Sequence, residues 1–323
     1  MKRSTTITVA VALTIGVGTV AWLGRSRFED HPAAAQDTAP PTLSAASGID
    51  GYDFAHPTAS FTLPPELTEV SALTDIDDHT VACVQDELGA VFFFDLDKGA
   101  VCSIQPFGPA GDYEGLTRVG QDLWVLRSDG LMIELTMSGD ALALGRQVEL
   151  GVEQDDIEGL GFDPTDHVVL VAPKSTLKGD KAARAQRQVF RFDPATGERL
   201  SGLALDSTID RIVEDASRQG IALPTTTTKP GRERVDLKVR FASIAVHPVT
   251  GLLFALSAVD RALMVFARDS TLVATQFLDE QLLPKPEGIT FLANGDMVIA
   301  SEGVASPPRI SVFRYHETKR EGR

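Results

Sequence analysis

Apolar residues recur along the chain in short runs, and polar turns separate these runs at regular distances. Five units share one pattern: an alternating strand, a polar turn such as DPTD, HPVTG or ANGD, an apolar run such as LWVL or VVLV, and one or two further strands. The units begin at Ser71, Glu114, Glu158, Ala242 and Glu287. Four short antiparallel strands in about 44 residues are typical of one propeller blade, so the pattern predicts an all-β, five-bladed β-propeller.

The alternative fold is a β-sandwich with a similar number of strands, but a sandwich does not require such a period with the same dipeptide at the same place. The last unit ends near Tyr315 without a clear fourth strand, whereas the segment ASFTL at 59–63, before the first unit, is strand-like. We expect this segment to pair with the last blade and close the ring, because closure removes exposed strand edges.

The spacing between the third and fourth units is almost twice that between the others. An insertion of about 40 residues therefore lies within the segment 174–240, in or after blade three. Residues 207–219 (STIDRIVEDASRQ) have a helical pattern, and residues 224–234 form a polar loop bounded by proline. We interpret the insertion as a surface excursion of the propeller and not as a separate domain.

The N-terminal region is predicted to attach the protein to a membrane. Residues 5–24 carry no charge and are enough to cross a bilayer as a helix, so residues 1–30 are interpreted as a retained signal anchor, with a cleaved signal peptide as the alternative. Residues 31–50 are rich in Pro, Ala and Ser and are expected to form a flexible linker, which leaves 51–323 for the propeller. This predicts a protein of the bacterial inner membrane with its propeller in the periplasm or outside the cell.

The net charge of −15 is distributed unevenly. Residues 51–173 carry 23 acidic and 4 basic side chains, whereas residues 174–240 carry 14 basic and 9 acidic ones. The acidic part argues against binding of nucleic acid by the body of the protein and favours a metal ion as partner. The basic insertion is a candidate contact for a protein or a small anionic ligand.

Three glutamates recur at the start of the first strand of a unit, each followed by glycine: Glu114, Glu158 and Glu287. The innermost strands of a propeller line its axis, so these side chains should form a ring at one mouth of the channel. Carboxylates held so close together repel each other unless a cation lies among them, and Ca²⁺ prefers oxygen ligands. The ring therefore predicts a calcium site. The alternative is a structural role, in which each glutamate accepts hydrogen bonds from the backbone of the next blade.

Further acidic residues accompany this ring. A second column lies fifteen residues after the first, and another set lies two residues before it. The members are Asp86, Asp129 and Glu302 in the second column, and Glu69, Asp112 and Asp156 in the preceding set.

Neither the histidines nor the cysteines indicate a site. His79, His167 and His247 fall in or beside the first turn of a unit and are expected on the surface, and no HExxH, GxSxG or phosphate-binding GxxxxGK[ST] motif is present. Cys83 and Cys102 belong to the second and fourth strands of blade one, about 10 Å apart, which is too far for a disulfide. We expect two free, mostly buried thiols.

The EGL, EGL and EGI openings, the HPVTG turn, the SD and SE strand ends and the N-terminal apolar segment resemble the SdiA-regulated (YjiK-like) propeller family of bacterial envelope proteins. The resemblance covers about residues 60–316. It implies a five-bladed propeller with a bound calcium ion and no established enzymatic activity, and it assigns Glu114, Glu158 and Glu287 to the site. Ala242 departs from the usual polar opening in blade four.

The function that fits these features is a non-catalytic, envelope-associated propeller that binds calcium at the channel mouth and acts as a ligand- or protein-binding module. The alternatives are a calcium-dependent, phytase-like phosphoesterase and a lactonase-like hydrolase. A phosphoesterase needs basic residues to hold phosphate. The candidates for that role are Lys174, Lys178, Lys181, Arg184 and Arg187. A lactonase-like enzyme needs a base beside the metal, and the sequence places no histidine there.

Overall fold

The computed structural model describes residues 48–138, 141–228, 231–303 and 305–317. The predicted anchor lies outside the described residues, as does the predicted linker apart from residues 48–50. No helix in the described part of the chain is long and apolar enough to cross a membrane.

Five antiparallel sheets of four strands each confirm the five-bladed β-propeller. In chain order, β1 (Ala59–Thr62) precedes blade one, which comprises β2 (Val70–Asp75), β3 (Thr80–Gln85), β4 (Ala90–Asp95) and β5 (Ala100–Pro106). Blade two comprises β6 (Tyr113–Val119), β7 (Asp122–Arg127), β8 (Leu131–Ser138) and β9 (Ala141–Glu149). Blade three comprises β10 (Ile157–Asp163), β11 (Val168–Pro173), β12 (Gln186–Phe192) and β13 (Arg199–Thr208). After a hairpin of β14 (Thr225–Thr228) and β15 (Arg232–Val235), blade four comprises β16 (Phe241–Val246), β17 (Leu253–Ser257), β18 (Ala262–Phe266) and β19 (Leu272–Phe277). Blade five contains β20 (Pro286–Phe291), β21 (Met297–Ser301) and β22 (Arg309–Phe313).

Strand β1 completes blade five and closes the ring. It pairs antiparallel with β22, with Ala59 opposite Val312 and Thr62 opposite Arg309. The prediction that the segment before the first unit closes the propeller is therefore confirmed. Strands from near both ends of the described chain are thus joined in one sheet, which gives the last blade four strands like the others.

The five first strands form the inner wall of the propeller. Strands β2, β6, β10, β16 and β20 each contact the first strands of both neighbouring blades, so that they surround a central channel. The apolar residues of the repeat pack between adjacent blades. One cluster, for example, joins Val84 of blade one to Leu116 and Val125 of blade two. The hydrophobic core is thus a set of interfaces between blades, as expected for packed sheets.

The predicted insertion consists of two separate excursions. The first is residues 174–185, which connect β11 to β12 and contain the short helix α1 (Lys181–Ala185). The second contains helix α2 (Ile209–Gln219) and the β14–β15 hairpin, and it connects blade three to blade four. Strands β12 and β13 lie between the two excursions and belong to the blade itself, so the basic segment is not one continuous insertion.

The sequence signals at both ends of helix α2 explain its position. The Thr208 side chain accepts a hydrogen bond from the Arg211 amide at the N-terminus, and Gly220 ends the helix in the left-handed conformation at φ 70°. Asp215 is buried and accepts hydrogen bonds from the Leu272 amide, at 3.1 Å, and from Arg218. The helix is therefore fixed to blade four by a buried carboxylate.

The cysteines are both free, as predicted, but only Cys83 is buried. Cys102 is exposed because it lies on β5, the outermost strand of blade one, where alternate residues face solvent. The prediction of two mostly buried thiols is therefore wrong for Cys102.

Candidate functional site

A β-bulge occurs at the same place in all five blades, near the start of the first strand. The pairing between the first and second strands skips one residue in each blade. The skipped residues are Ser71, Glu114, Glu158, Ala242 and Glu287. A bulge turns a side chain away from the regular alternation of the strand. The three predicted metal ligands therefore occupy equivalent bulges at one end of the inner wall, which we call the glutamate mouth.

Two lysines enter the glutamate mouth and pair with two of its glutamates. The Lys174 ammonium lies 2.6 Å from Glu158 Oε1, and the Glu158 side chain is only 5% exposed. Lys285 lies 3.3 Å from Glu287 Oε1 and 2.6 Å from Glu302 Oε2. Lys174 is one of the candidate phosphate-binding residues of the sequence prediction, but its side chain faces the glutamates.

Glu114 differs from the other two glutamates because it forms no hydrogen bond or ion pair with any described residue. Burial, together with the nearby Asp112, raises its pKa to about 8, although Lys174 opposes the rise. The Glu114 carboxyl is thus an unpaired acid of the mouth, and the approach of a cation would favour loss of its proton.

The pKa values of the paired residues follow the same physics. Burial raises the pKa of Glu158, although Lys174 counteracts it, and burial also raises the pKa of Glu287 against the same lysine. For Lys174, burial favours the neutral form, but the attraction of Glu287 and Glu158 prevails and raises its pKa. Negative charge in this mouth is therefore stabilised mainly by positive charge placed within it.

The second acidic column is divided in the structure. Glu302 pairs with Lys285, and Asp129 pairs with Arg127 on the same strand end. Asp86 has a buried Oδ1 atom without a hydrogen-bond partner, and burial together with Glu69 raises its pKa to about 6. Asp86 is therefore the second acid of this end that has no cationic partner.

The glycines after the glutamates allow neighbouring inner strands to approach each other. A Cβ atom on Gly115 would lie 2.8 Å from the Glu158 carbonyl oxygen, and one on Gly288 would lie 2.5 Å from Leu73 Cδ2. The close approach is to the neighbouring blade and not to a ligand. At the equivalent position of blade one, the Ser71 hydroxyl donates a hydrogen bond to the Tyr113 carbonyl oxygen of the next blade at 2.6 Å.

The donor types at the glutamate mouth suit calcium, which binds carboxylate oxygens. Within the described ranges, no three His, Cys, Asp or Glu side chains are already arranged as a metal site. Glu158 bonds to Lys174 in this conformation, so an ion that used Glu158 would have to displace the ammonium. The calcium site stays a prediction.

Comparison with known proteins identifies the fold alone. No family model and no curated protein matches the chain. Glutaminyl cyclase from Myxococcus xanthus is similar with a TM-score of 0.53 at 11% identity, covering 81% of this chain and 97% of that one. The WD40 propeller domain of Doa1 gives a TM-score of 0.46 at 13% identity over 84% and 99% of the two chains, and streptogramin B lyase gives 0.43 at 12% over 80% and 97%. At such identities a likeness bears on the fold alone, so membership of the SdiA-regulated family stays a prediction.

The histidine prediction is wrong for His247, which is only 1% exposed. Its Nδ1 atom accepts hydrogen bonds from two amides of the HPVTG turn, and its Nε2 atom lies 2.8 Å from the Tyr52 hydroxyl. Burial lowers its pKa to about 4. The ring is folded inward because it caps its own turn, whereas His79 and His167 are exposed as predicted.

The structure does not bring the five candidate phosphate-binding residues together. Arg187 is buried and donates hydrogen bonds to backbone carbonyl oxygens, among them that of Val239. Lys178 forms an exposed pair with Asp155 at 2.5 Å. Lys181 and Arg184 lie exposed on helix α1. With Lys174 in the glutamate mouth, these residues form no common anion-binding surface.

Proposed function

We propose that the protein is a non-catalytic binding propeller that holds a cation, Ca²⁺, at its glutamate mouth. The observation that supports this best is the excess of acid there. Five partly or fully buried carboxyl groups meet two ammonium groups. The carboxyls are Glu114, Glu158, Glu287, Glu302 and Asp86, and the ammonium groups are those of Lys174 and Lys285.

Such an arrangement favours a cation because buried negative charge without a partner is costly. Because Glu114 forms, within the described part of the chain, no ion pair that a metal would have to break, its carboxylate would supply the first oxygen ligand. Glu158 would supply the next, with its Lys174 ammonium moving away to solvent. Binding is therefore expected as an exchange between a divalent ion and an internal ammonium group.

The predicted N-terminal anchor would hold this propeller at the bacterial inner membrane, in line with the resemblance to the SdiA-regulated envelope family. The protein partner or ligand of such a module would then meet a calcium-bound mouth. The sequence pattern of residues 5–24, which is uncharged and long enough to cross a bilayer, supports this attachment.

Calorimetric titration of the chelator-treated protein with Ca²⁺ tests the proposal. We expect Lys174→Met to bind Ca²⁺ more tightly than the wild type, since the competing ammonium is gone, and Glu114→Gln to bind more weakly. Glu198→Gln, an exposed glutamate of a blade-three turn, is the matched control and should titrate like the wild type. Absence of binding heat, together with a melting temperature that Ca²⁺ leaves unchanged, would reject the calcium site.

The alternative hydrolases have less support. The basic residues that would hold phosphate are dispersed, and His247 is engaged with Tyr52 and its own turn. Turnover of p-nitrophenyl phosphate, phytate or a simple lactone by the calcium-loaded protein would favour a hydrolase over the binding module. Loss of that turnover in Glu114→Gln would place the reaction at the glutamate mouth.

A further inference from the structure

The opposite end of the channel contains a cavity that the glutamate mouth does not share. It has a volume of about 340 Å³ and is lined by the inner strands of all five blades. Five branched aliphatic side chains, one per blade and two residues after each bulge, form its floor on the side of the glutamates. They are Leu73, Leu116, Leu160, Ile244 and Ile289. The volume lies at the lower end of the range for small-molecule sites.

One half of the cavity wall is closed by hydrogen bonds between blades. The Asp75 amide donates to the Thr290 hydroxyl at 3.3 Å, and the Arg118 amide donates to the Thr74 hydroxyl at 3.2 Å. In both cases, an amide four residues after one bulge bonds to a hydroxyl three residues after the preceding bulge. At these two places, a threonine side chain of one blade thus accepts a hydrogen bond from a channel-facing backbone amide of the next blade.

Among the residues that the structure describes, the other half of the wall lacks these hydrogen bonds between an amide and a threonine hydroxyl. Gly161 and Ala245 take the places of the threonines, so no hydroxyl lies opposite the equivalent amides of Val246 and Phe291. The Thr117 hydroxyl has no hydrogen-bond partner among the described residues. This side of the cavity therefore presents two backbone donors and one free hydroxyl next to a small alanine side chain.

A balanced ion pair lies at the rim. Arg118 donates to the Asp75 carbonyl oxygen at 2.8 Å, to Asp75 Oδ2 at 2.6 Å and to the Gly120 carbonyl at 2.9 Å. A guanidinium group has five N–H donors, so two of them remain, and Asp75 Oδ1 has no hydrogen-bond partner within the described part of the chain. The Arg118–Asp75 pair therefore offers both donors and an acceptor without adding a net charge.

We propose that this cavity binds a neutral, hydroxyl-bearing small molecule of about the size of a monosaccharide. A hydroxyl group both accepts and donates hydrogen bonds. It can therefore accept from the two amides and from Arg118, and it can donate to the Asp75 carboxylate. A carboxylate would be repelled by Asp75 and by the exposed Asp77 and Asp78 of the following turn. An ammonium group inside the cavity would have no acceptor to offer to the two backbone amides of the wall, because it only donates hydrogen bonds. The aliphatic floor provides a surface for the C–H face of a sugar ring.

The test compares three sugars of one shape by saturation-transfer NMR and calorimetry: glucose, its carboxylate glucuronate and its ammonium glucosamine. The wild type should bind glucose at millimolar concentration and bind the two charged analogues more weakly. Thr117→Val keeps the shape and removes one hydroxyl, so glucose binding should weaken about threefold to tenfold. Thr275→Val is the matched control, since Thr275 is a buried threonine of blade four whose hydroxyl also lacks a partner.

A second variant, Ala245→Leu, fills the cavity and should abolish binding; if it fails to fold, Thr117→Val still decides. The proposal is overturned if glucose does not bind, if either charged analogue binds as well as glucose, or if Thr117→Val binds glucose like the wild type. Glu114→Gln alters only the glutamate mouth and should leave glucose binding unchanged, so the outcome does not depend on calcium.

Discussion

Replacing Glu114 by glutamine should stabilise the protein, and the gain should increase with pH. Glutamine has the shape of the protonated acid and cannot ionise. The wild-type side chain must either keep its proton, as its raised pKa favours, or carry a charge that no described residue pairs with. The glutamine side chain cannot ionise and leaves no cavity, so any change in stability reflects the electrostatics of the mouth.

The magnitude follows from the pKa of Glu114. Between pH 4.5 and about 8 the folded protein keeps a proton that the unfolded chain has lost, so the free energy of unfolding falls as the pH rises through this range. At about 1.36 kcal/mol per pH unit, the full interval corresponds to about 5 kcal/mol. Glu114 is partly exposed, and solvent screening reduces the effect to about 2 kcal/mol. For a chain of this size, that is about 4 °C in melting temperature.

Thermal unfolding of both proteins with a chelator, at about pH 5 and about pH 9, measures the effect. Glu114→Gln should match the wild type closely at the lower pH and melt about 4 °C higher at the upper one. The exposed Glu198→Gln variant controls for the loss of one negative charge and should follow the wild type at both values. A stabilisation of equal size at both pH values, or none at pH 9, would refute the reasoning.

Three further substitutions test the packing of the propeller, each by urea unfolding. Gly115→Ala should cost about 1–3 kcal/mol because its Cβ would meet the backbone of the next blade, whereas Gly48→Ala, with nothing within 4 Å, should be neutral. Tyr52→Phe should cost about 1 kcal/mol because it removes the hydroxyl that contacts His247, and a wild-type midpoint would contradict that contact. Asp215→Ala should cost about 3 kcal/mol because it leaves a buried amide of blade four without its acceptor, and a loss below about 1 kcal/mol would show that water replaces the carboxylate.

The architecture could be predicted from the sequence because each blade repeats the same requirements. A strand that packs between two blades needs apolar residues at fixed places, and a spacing of 43 to 45 residues in the chain preserves those places. Closure by the segment 59–63 could be predicted as well, since the last unit lacked a strand and an unpaired segment was present.

The contents of the glutamate mouth were only half predictable. The glutamates could be aligned because they lie within the repeat. Lys174 follows the end of a strand, where periodicity does not determine the direction of a side chain, so the hydrophobic pattern alone does not distinguish it from the other basic residues of the insertion. The signal that could have identified it is its place directly after the second acidic column of blade three, whose own residue is Pro173.

His247 is buried, contrary to its sequence prediction, for a related physical reason. A polar turn is usually on the surface, and the HPVTG motif has the composition of one. The imidazole nevertheless turns inward because its Nδ1 atom satisfies two amides of the turn. Its other nitrogen meets Tyr52, which lies in a segment outside the repeat. Contacts made by non-repeating segments cannot be predicted from the period of the repeat.

Along the inner strands, some positions carry the same type of residue in every blade, whereas others vary between blades. The aliphatic residue two places after the bulge is present in every blade, because it fills the space between blades. The bulge position and the position three residues after it vary, so packing does not determine them. Blade four has alanine at both, Ala242 at the glutamate mouth and Ala245 in the cavity, and so leaves room at both ends of the channel. A ligand at either end is therefore expected to lie against blade four, and enlarging each alanine in turn should block one end and spare the other.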